Sequence, residues 1–366
     1  MTVGIVGAGQ LGRMLALAGY PLGLDFLFLD PADAPPAAVL APVLQSAFTN
    51  VDSLAALAAR CAVVTIDWEN VSVEALRTLG RETRVSPPPA AIAAAQDRVS
   101  EKRLFEKLGI STTRWRAVSS RRQLASAVRD IGLPGILKTR RMGYDGKGQA
   151  VVRTAADLER GWAELGQAPL LYEELVPFDL EVSVIGVRSR SGDFRVYPLN
   201  HNVHSGGILR LTRAPYGNAH LSRLAARHVQ AVMEHFRYVG VLTIEFFVRK
   251  GRLVANEMAP RVHNSGHWTI EGAVTSQFEN HLRAIVGLPL GDTRARGHSA
   301  MINLIGTMPG HAQLLGHPGV HLHDYGKKPR PGRKLGHLTM VEDDAARCDR
   351  RARKLLAELA PEIHIP

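Results

Sequence analysis

A pair of glutamates, Glu245 and Glu257, flanks a short turn in the sequence LTIEFFVRKGRLVANEMAPR. The turn at Arg249-Lys250-Gly251 predicts a β-hairpin, in which side chains alternate between faces along each strand. Depending on loop length, Glu245 lies opposite Glu257 or opposite Ala255, with Glu257 then its diagonal neighbour. Either register puts both carboxylates on one face, where like charges repel unless a cation lies between them. An exposed pair is the alternative, but the strand is otherwise apolar, so we predict a Mg²⁺ site at Glu245 and Glu257.

Polar side chains that could bind an anion follow the hairpin. The stretch APRVHNSGHW supplies Arg261, His263, Asn264 and His267. A second cluster, YGKKPRPGRKLGH, supplies Lys327, Arg330, Arg333 and Lys334 around a Pro-Gly turn. A basic surface loop would have the same composition as the second cluster, and a phosphate monoester is the competing partner. Several donors beside a metal hairpin indicate a site for an anionic substrate or intermediate.

Two glycine-rich segments compete as phosphate loops, and the first is Gly7-Ala-Gly-Gln-Leu-Gly12. It follows an apolar strand and opens a helix, as the G-x-G-x-x-G pattern of dinucleotide sites requires. The second strand ends in Asp30, near where a ribose-binding carboxylate would lie. Glycines also allow tight strand-to-helix turns without any ligand, so this segment alone supports both interpretations equally.

The second segment, GYDGKGQ at 143–149, lies between the predicted strands ILKT and QAVV. It does not match G-x-x-x-x-G-K-[ST], because Gly148 stands where the hydroxyl that holds Mg²⁺ should be. A glycine loop between antiparallel strands can fold over phosphates as a flap, with its N–H groups forming an anion nest. Lys138, on the entering strand, can reach a phosphate. The alternative is a flexible turn with solvated lysines, which would not require so many glycines.

The elements that must position these residues predict an α/β fold followed by an α+β fold. Strands and helices alternate at first, which is typical of a parallel, doubly wound sheet, and three prolines near 86–90 mark a boundary. Capped helices, strand pairs and the carboxylate hairpin follow. We predict a Rossmann-like domain at 1–95, a second domain at 96–290 with a lid at about 115–178, and a small β-rich C-terminal domain at 291–366.

Composition narrows the function. The 366 residues are 45% hydrophobic and 22% charged, as in a globular protein, and no apolar run is long enough for a membrane span. The N-terminus MTVGIVGAG has no basic region typical of a signal peptide. Cys61 and Cys348 form no disulfide framework, which predicts a reducing, cytoplasmic compartment. The net charge of +11 could attract nucleic acid or phosphorylated substrates, but no basic tract interleaves with aromatics, so we predict no nucleic-acid partner.

Together these motifs resemble the ATP-grasp superfamily and, more narrowly, the 5-(carboxyamino)imidazole ribonucleotide synthase family of purine biosynthesis. In the family's order they are GAGQLGRML at 7–15, DR at 97–98, RRMGYDGKGQ at 140–149, EELV at 173–176, YPLNHNVH at 197–204, NEMAPRVHNSGHW at 256–268, SQFENHLRAI at 276–285 and RPGRKLGH at 330–337. The resemblance implies an ATP-grasp fold with a Rossmann-like pre-ATP-grasp domain. It also implies a homodimeric ligase that uses ATP, Mg²⁺ and bicarbonate to carboxylate 5-aminoimidazole ribonucleotide through carboxyphosphate.

The resemblance further assigns roles to single residues. The ATP site would comprise Arg98, Lys138, Gly143, Tyr144, Asp145, Gly146, Lys147, Gly148, Gln149, Glu173, Glu174, Leu175, Val176, Glu181, His204, Asn256 and Glu257. Backbone groups of 173–176 would meet adenine, and Glu181 would bind the ribose hydroxyls. The catalytic residues would be Asp145, Arg261, His263 and Asn264. The ribonucleotide and carboxyphosphate would be bound by Glu69, Arg261, His263, Asn264, Lys327 and Arg333.

Two positions depart from the family pattern. Many ATP-grasp enzymes have E-x-N on the second metal strand, whereas this chain has Glu257-Met258-Ala259, which leaves the number of Mg²⁺ ions open. TIDWENV stands in place of YEFENV, which leaves the role of Asp67 open. The general base is also open, with His263 and Asp145 as candidates.

Other functions remain possible from the sequence. The nearest is another ATP-grasp ligase, such as a formate-dependent glycinamide ribonucleotide transformylase or a biotin carboxylase. A Rossmann NAD(P)-dependent dehydrogenase is argued from Gly7–Gly12 and Asp30, and a non-catalytic basic binding protein is a third alternative. The carboxylate hairpin separates an enzyme from a binding module, while RPGRKLGH and NHNVH separate this ligase from its relatives.

Overall fold

The computed structural model describes residues 1–143 and 147–361, and the part before residue 86 forms a five-stranded parallel sheet of order β3-β2-β1-β4-β5. Strands β1, β2 and β4 are apolar runs because helices cover both faces, with α1 on one face and α2 and α3 on the other. The predicted doubly wound pattern is confirmed. Its elements are β1 (Thr2–Val6), α1 (Gln10–Gly19), β2 (Asp25–Asp30), β3 (Val43–Gln45), α2 (Val51–Arg60), β4 (Val63–Ile66), α3 (Val73–Glu82) and β5 (Arg84–Val85).

Two helices lead from this sheet to a small antiparallel sheet of order β6-β9-β7-β8. The side chain of Asp97 caps the second of these helices by accepting from the N–H groups of Val99 and Ser100. Helices α6 and α7 pack on the small sheet through an apolar cluster that includes Tyr172. The elements are α4 (Pro89–Ala95), α5 (Arg98–Lys107), β6 (Trp115–Val118), α6 (Arg121–Ile131), β7 (Gly135–Thr139), β8 (Gln149–Val152), α7 (Ala155–Leu165) and β9 (Leu170–Glu174).

The third sheet has nine strands in the order β15-β14-β10-β12-β13-β16-β18-β17, with β11 paired to β10. Strands β16–β18 of the predicted C-terminal unit extend it through the pairing of β13 with β16. Its elements are β10 (Leu180–Arg188), β11 (Phe194–Val196), β12 (Asn200–Ser205), β13 (Ile208–Ala214), α8 (Ala219–His235), β14 (Gly240–Arg249), β15 (Arg252–Ala259), α9 (Thr269–Gly272), α10 (Gln277–Val286), β16 (His298–Ile305), α11 (His311–Leu315), β17 (Val320–Asp324), β18 (Lys334–Glu342) and α12 (Ala345–Leu359).

The first sheet is fixed to the third by a buried contact. Helix α1 packs against α10, and Thr65 Oγ1 lies 2.9 Å from Nε2 of His281. The other ring nitrogen of His281 accepts from the backbone N–H of Val241 on β14 at 3.1 Å. Burial lowers the pKa of His281 to about 4, so this histidine is neutral near pH 7. The loop after β4 is thereby held beside the hairpin of β14 and β15.

Cys61 and Cys348 are buried free thiols. Burial raises the pKa of each to about 11, which makes them poor nucleophiles and excludes them from the chemistry. Across residues 1–143 and 147–361, no helix combines the length and apolar character needed to cross a membrane.

Candidate active site

The hairpin of β14 and β15 places Glu245 directly opposite Glu257, one of the two registers that the sequence allowed. The turn is tighter than predicted, because Arg249 pairs with Arg252 across Lys250-Gly251, whose φ angles are 50° and 72°. The pairing shifts by one residue between Glu245 and Phe246, so Asn256 is the extra residue of a β-bulge. This bulge brings the two carboxylates to the same level of the hairpin.

Cationic side chains surround both carboxylates. Glu245 Oε1 lies 3.0 Å from His263 Nε2, and Glu257 Oε2 lies 3.1 Å from Arg98 Nη1. Burial alone would raise the pKa of Glu245, but the hydrogen bond and charge of His263, together with the charges of His204 and Lys334, lower it below the usual range. Both oxygens therefore belong to an ionised group that attracts cations.

The donor set fits Mg²⁺ when other ligands join it. Within residues 1–143 and 147–361, no three His, Cys, Asp or Glu side chains form a closed metal cluster. Two facing carboxylates are what Mg²⁺ uses alongside phosphate oxygens and water. The glutamates differ in exposure, with 13% of the Glu245 side chain and 45% of the Glu257 side chain accessible. Glu257 is thus the carboxylate that faces the open part of the site.

The predicted phosphate lysine, Lys138, lies on β7 and forms an ion pair with Glu173 on β9. The other oxygen of Glu173 lies 2.9 Å from Lys102 on α5, a residue that the sequence analysis did not single out. Burial would raise the pKa of Glu173, but the charges and hydrogen bonds of the two lysines lower it well below its usual range. A buried, permanently ionised carboxylate therefore lies between two lysines.

Glu181 and His204 form the next pair along the sheet. His204 Nδ1 lies 2.9 Å from Glu181 Oε2, and its Nε2 lies 3.9 Å from Glu245. Burial alone would lower the pKa of His204, but the hydrogen bond to Glu181 and the charges of Glu245, Glu181 and Glu257 raise it to about 9. A protonated His204 thus connects the predicted ribose carboxylate to the metal hairpin.

The segment 173–176 is anchored within the small sheet. The side chain of Glu174 pairs with Arg114 at 2.7 Å and with Arg249 at 3.3 Å, and Leu175 N donates to the carbonyl oxygen of Pro134. Val176 is buried. Because the Glu174 carboxylate is engaged by arginines, its predicted contact with adenine would have to use the backbone.

Glu69 and Arg261, both predicted to bind substrate, meet across two sheets. Arg261 Nη2 donates to Glu69 Oε1 at 2.8 Å, and its Nε donates to the second oxygen, which makes the pair bidentate. Glu69 follows β4 of the first sheet, and Arg261 follows β15 of the third. The loop after β4 therefore contributes directly to the wall of the site.

His263 is held by a chain of hydroxyl groups. Ser183 Oγ donates to Ser265 Oγ at 2.8 Å, and Ser265 Oγ lies 2.8 Å from His263 Nδ1. The backbone N–H of Ser265 also donates to Nδ1. Since donors face Nδ1, the hydrogen of a neutral ring lies on Nε2, which points at Glu245.

Asn264 differs from its neighbours because its side chain has no protein partner. Its Nδ2 and Oδ1 atoms are both buried, and neither forms a hydrogen bond within the described part of the chain. A buried amide without partners is costly unless a ligand or water supplies the missing bonds. This observation fits a substrate contact at Asn264.

The two downstream basic residues are placed differently. Lys327 Nζ donates to the side chain of Gln10, the first residue of α1, so this lysine reaches the N-terminal end of that helix. Arg333 donates to the carbonyl oxygen of Lys328 at 3.1 Å, within its own loop. Gln10 was not predicted, because only the fold brings it beside Lys327.

A cavity of about 110 Å³ joins many of these residues. Residues predicted for the metal, nucleotide and substrate sites line it, namely Glu69, Arg98, Gly143, Glu245, Glu257, Arg261 and His263. Lys138, Glu173, Glu181 and His204 lie outside this lining.

Glu101, which also lines the cavity, was not predicted from the sequence. Its side chain accepts a hydrogen bond from the backbone N–H of Met258. Burial and the charge of Glu257 raise the pKa of Glu101 to about 8. A charged residue within an ordinary helix gives no sequence signal that it points inward.

The flap is described only at its base. Arg140 and Arg141 pair with Asp97, and Arg98 N donates to the carbonyl oxygen of Arg140, which ties the start of the flap to α5. Gly148 accepts from Thr139 N, and Gln149 begins β8. The predicted site residues Tyr144, Asp145 and Gly146 lie outside the described residues.

The first glycine loop holds the protein's own carboxylate. Asp67 Oδ2 accepts from Gly9 N and, at 3.4 Å, from Gly12 N, and a Cβ atom at Gly7 would overlap the Asp67 carboxylate. Asp30 is engaged as well, since it accepts from Ala8 N and Ala32 N at 2.8 Å. The N–H groups of Gly9 and Gly12, which would hold a pyrophosphate, are therefore engaged by Asp67, and this argues against the dehydrogenase and gives Asp67 a structural contact.

Histidine rings from the motifs NSGHW and RPGRKLGH pack against each other. The ring centroids of His267 and His337 are 4.9 Å apart, and His323 stacks on His337 at 4.4 Å. His337 Nδ1 also lies 2.7 Å from the hydroxyl of Tyr325. These ring contacts join NSGHW to RPGRKLGH and pack β17 and β18 against the segment at 264–268.

The chain matches known sequence families along most of its length. The ATP-grasp domain matches residues 103–278, the ribonucleotide synthetase preATP-grasp domain matches 1–96, and the phosphoribosylaminoimidazole carboxylase C-terminal domain matches 299–351. The N5-carboxyaminoimidazole ribonucleotide synthase of Pseudomonas aeruginosa is 49% identical over 346 residues, which cover 94% of this chain and 96% of that protein.

Solved structures agree with these matches. The N5-carboxyaminoimidazole ribonucleotide synthetase of Thermus thermophilus is 48% identical, with a TM-score of 0.95 and complete coverage of both chains. The synthase of Aspergillus clavatus, in complex with ADP and 5-aminoimidazole ribonucleotide, is 29% identical, with a TM-score of 0.90 and 99% of each chain covered. The predicted ATP-grasp fold with its preceding Rossmann-like part is confirmed.

Proposed function

The chain belongs to the N5-carboxyaminoimidazole ribonucleotide synthase family, and we propose that it carboxylates the amino group of 5-aminoimidazole ribonucleotide, using ATP and bicarbonate, in purine biosynthesis. It is an ATP-dependent carbon–nitrogen ligase of the ATP-grasp fold. The observation that carries the proposal is the shared cavity, where the Glu69–Arg261 pair meets the carboxylate hairpin. Residues predicted for the substrate and part of those predicted for ATP line this one cavity, which supports the proposal.

The reaction has two steps. An oxygen of bicarbonate attacks the γ-phosphorus of ATP, the bond to the bridging oxygen breaks, and ADP leaves with those electrons. The product is carboxyphosphate. The substrate amine then attacks the carboxyl carbon, or CO₂ released from it, inorganic phosphate leaves, and a base takes the proton from nitrogen.

The phosphates of ATP need positive charge along their length. We assign this role to Lys138 and Arg98, whose present partners are Glu173 and Glu257. When bound on Glu245 and Glu257, Mg²⁺ would neutralise charge that develops on the phosphate oxygens. The flap at 143–149 would cover the phosphates and exclude water, since carboxyphosphate hydrolyses readily.

The substrate loop 261–264 would orient the intermediate. His263 presents Nε2–H, so it is suited to donate a hydrogen bond to an anionic oxygen rather than to accept a proton there. Asn264 brings an unpartnered amide, and Arg261 brings a guanidinium fixed by Glu69. This arrangement disfavours His263 as the general base, and the other candidate, Asp145, lies outside the described residues.

Compartment and assembly complete the proposal. A reducing cytoplasm is supported by two buried free thiols. A homodimer rests on the family resemblance, and light scattering on the purified chain measures it.

The test is phosphate release from ATP with each substrate omitted in turn. The full rate should require both bicarbonate and 5-aminoimidazole ribonucleotide. Glycinamide ribonucleotide with formate serves as the matched control, and a faster rate with that pair would replace this proposal with the transformylase.

A further inference from the structure

Two buried lysines contact the single carboxylate of Glu173. Its side chain is 2% exposed and lies between Lys138, which is 9% exposed, and Lys102, which is 3% exposed. Each lysine contacts a different carboxylate oxygen. Buried charges are normally retained only where each has a partner, so a second buried lysine on one carboxylate needs an explanation.

The two lysines reach Glu173 from different parts of the fold. Lys138 and Glu173 share a face of the small sheet as diagonal neighbours on β7 and β9. Lys102 comes from α5, outside that sheet, and its Nζ also lies 2.9 Å from Thr113 Oγ1. The Thr113 hydroxyl in turn donates to Glu173 at 2.7 Å. Lys102, Thr113 and Glu173 thus form a closed triangle of contacts.

The local charge is unbalanced towards the positive. Lys102 and Lys138 carry two charges against the single charge of Glu173, while the nearby guanidinium of Arg98 is paired with Glu257. Burial and the charges of Arg98 and Lys102 lower the pKa of Lys138, while Glu173 opposes this effect. An anion placed near Lys138 would balance the excess, and in the proposed function that anion is a phosphate of ATP.

We propose that Lys102 is a positioning residue that keeps Glu173 paired while Lys138 exchanges Glu173 for the phosphates of ATP. Without Lys102, each exchange would leave a buried carboxylate without a counter-ion, which is strongly unfavourable. The inference rests on the proposed function for the identity of the anion. It concerns nucleotide binding alone and makes no claim about the carboxylation step.

The experiment compares Lys102→Met with wild type by titration calorimetry with Mg²⁺-ADP, and by KM for ATP. We expect the ADP dissociation constant to rise about 10- to 100-fold, because Glu173 has then lost Lys102 and Lys138 must stay paired with it. The KM for 5-aminoimidazole ribonucleotide should change by less than about twofold, because its residues lie elsewhere. Lys107→Met, an exposed lysine on the same helix, is the matched control and should bind ADP as wild type does.

A double variant separates positioning from plain stability. Lys102→Met combined with Glu173→Gln removes the carboxylate that Lys102 must hold, so ADP affinity should recover at least in part relative to Lys102→Met. A purely structural role predicts no recovery and a further fall in melting temperature. Unchanged ADP binding in Lys102→Met would overturn the inference. So would a loss of ADP affinity on Lys102→Met that is the same in the wild-type protein and in Glu173→Gln. If Lys102→Met alone fails to fold, ADP binding by the double variant is compared with that by Glu173→Gln. The inference predicts that the double variant binds ADP at least as tightly as Glu173→Gln does.

The outcome is independent of the carboxylation assay. ADP binding with the expected variant pattern, but no turnover with 5-aminoimidazole ribonucleotide, supports the role of Lys102 and rejects the proposed substrate. Turnover with that substrate, but no effect of Lys102→Met on ADP, supports the substrate and rejects the role of Lys102.

Discussion

The two glycine-rich regions look alike in sequence but have different charged neighbours in the fold. The loop at Gly7–Gly12 directs its N–H groups at Asp67, a carboxylate of the same sheet. The region around the second loop presents Lys138 and Arg98, whose partners are the side chains of Glu173 and Glu257. The first loop binds a carboxylate of the chain itself, whereas the second is bordered by the cationic side chains of two ion pairs.

The difference shows what a glycine motif does and does not specify. Glycines allow close approach of an anion to the backbone, but the identity of the anion depends on side chains from distant segments. Asp67 comes from the end of β4, and Glu257 comes from the hairpin. The first loop therefore binds an internal carboxylate, and in the proposed function the second region binds the phosphates of ATP.

The largest effect on activity should come from Glu257→Gln, in the region around the second loop. We expect ATP turnover to fall by about 1000-fold or more, because the amide removes the charge that would hold Mg²⁺. Circular dichroism should be unchanged, since the Glu257 side chain is 45% exposed. Exposed Glu234→Gln is the control, and an active Glu257→Gln enzyme would refute the metal assignment.

The next effect should come from Lys138→Met. Removing this ammonium should lower kcat/KM for ATP by about 100-fold, because it removes the positive charge that would stabilise the phosphates of ATP during transfer. Steady-state kinetics with each substrate varied measures the effect. A loss confined to 5-aminoimidazole ribonucleotide would place Lys138 at the other substrate and undermine the comparison.

Glu69→Gln tests whether the first sheet contributes to binding of 5-aminoimidazole ribonucleotide and not to binding of a dinucleotide. Its loss releases Arg261, so KM for 5-aminoimidazole ribonucleotide should rise about 10-fold. ADP affinity, measured by calorimetry, should remain at the wild-type value. Equal losses for both ligands would mean that Glu69 acts on the fold as a whole.

The smallest effect concerns Asp67 and pH. Burial raises the pKa of Asp67 from 3.8 to about 7, against the hydrogen bonds from Gly9 and Gly12. A group whose pKa is raised by folding contributes stability below its unfolded pKa and loses that contribution as pH rises through its folded pKa. Relative to Asp67→Asn, the wild-type melting temperature should therefore fall between about pH 4 and 7 and level off above that, with a total change on the order of a few degrees. A parallel pH profile for the two proteins would show that Asp67 does not titrate there.

Much of the site was predictable because local patterns carry it. The period of β14 and its turn placed Glu245 and Glu257 on one face before the fold was known. The register needed the bulge at Asn256, which no residue type announces. Helix α4 was missed although Pro89 and the alanines after it are good signals, because the prolines suggested only a boundary.

The rest depended on contacts between distant segments. Lys102 and Glu101 lie on α5 among exposed charged residues, and only the packing of α5 shows which of these are buried. The Asp67 contact joins residues 58 positions apart in sequence. The joining of β16 to β13 is equally invisible, since strand order in a sheet follows from the whole chain.

The measurement that tests the central claim most directly is transfer of oxygen from ¹⁸O-labelled bicarbonate, followed by ³¹P NMR of the released phosphate. The account predicts that each phosphate carries one ¹⁸O atom and that one carboxylated ribonucleotide forms for each ATP consumed. Unlabelled phosphate, released at the same rate without 5-aminoimidazole ribonucleotide, would contradict it.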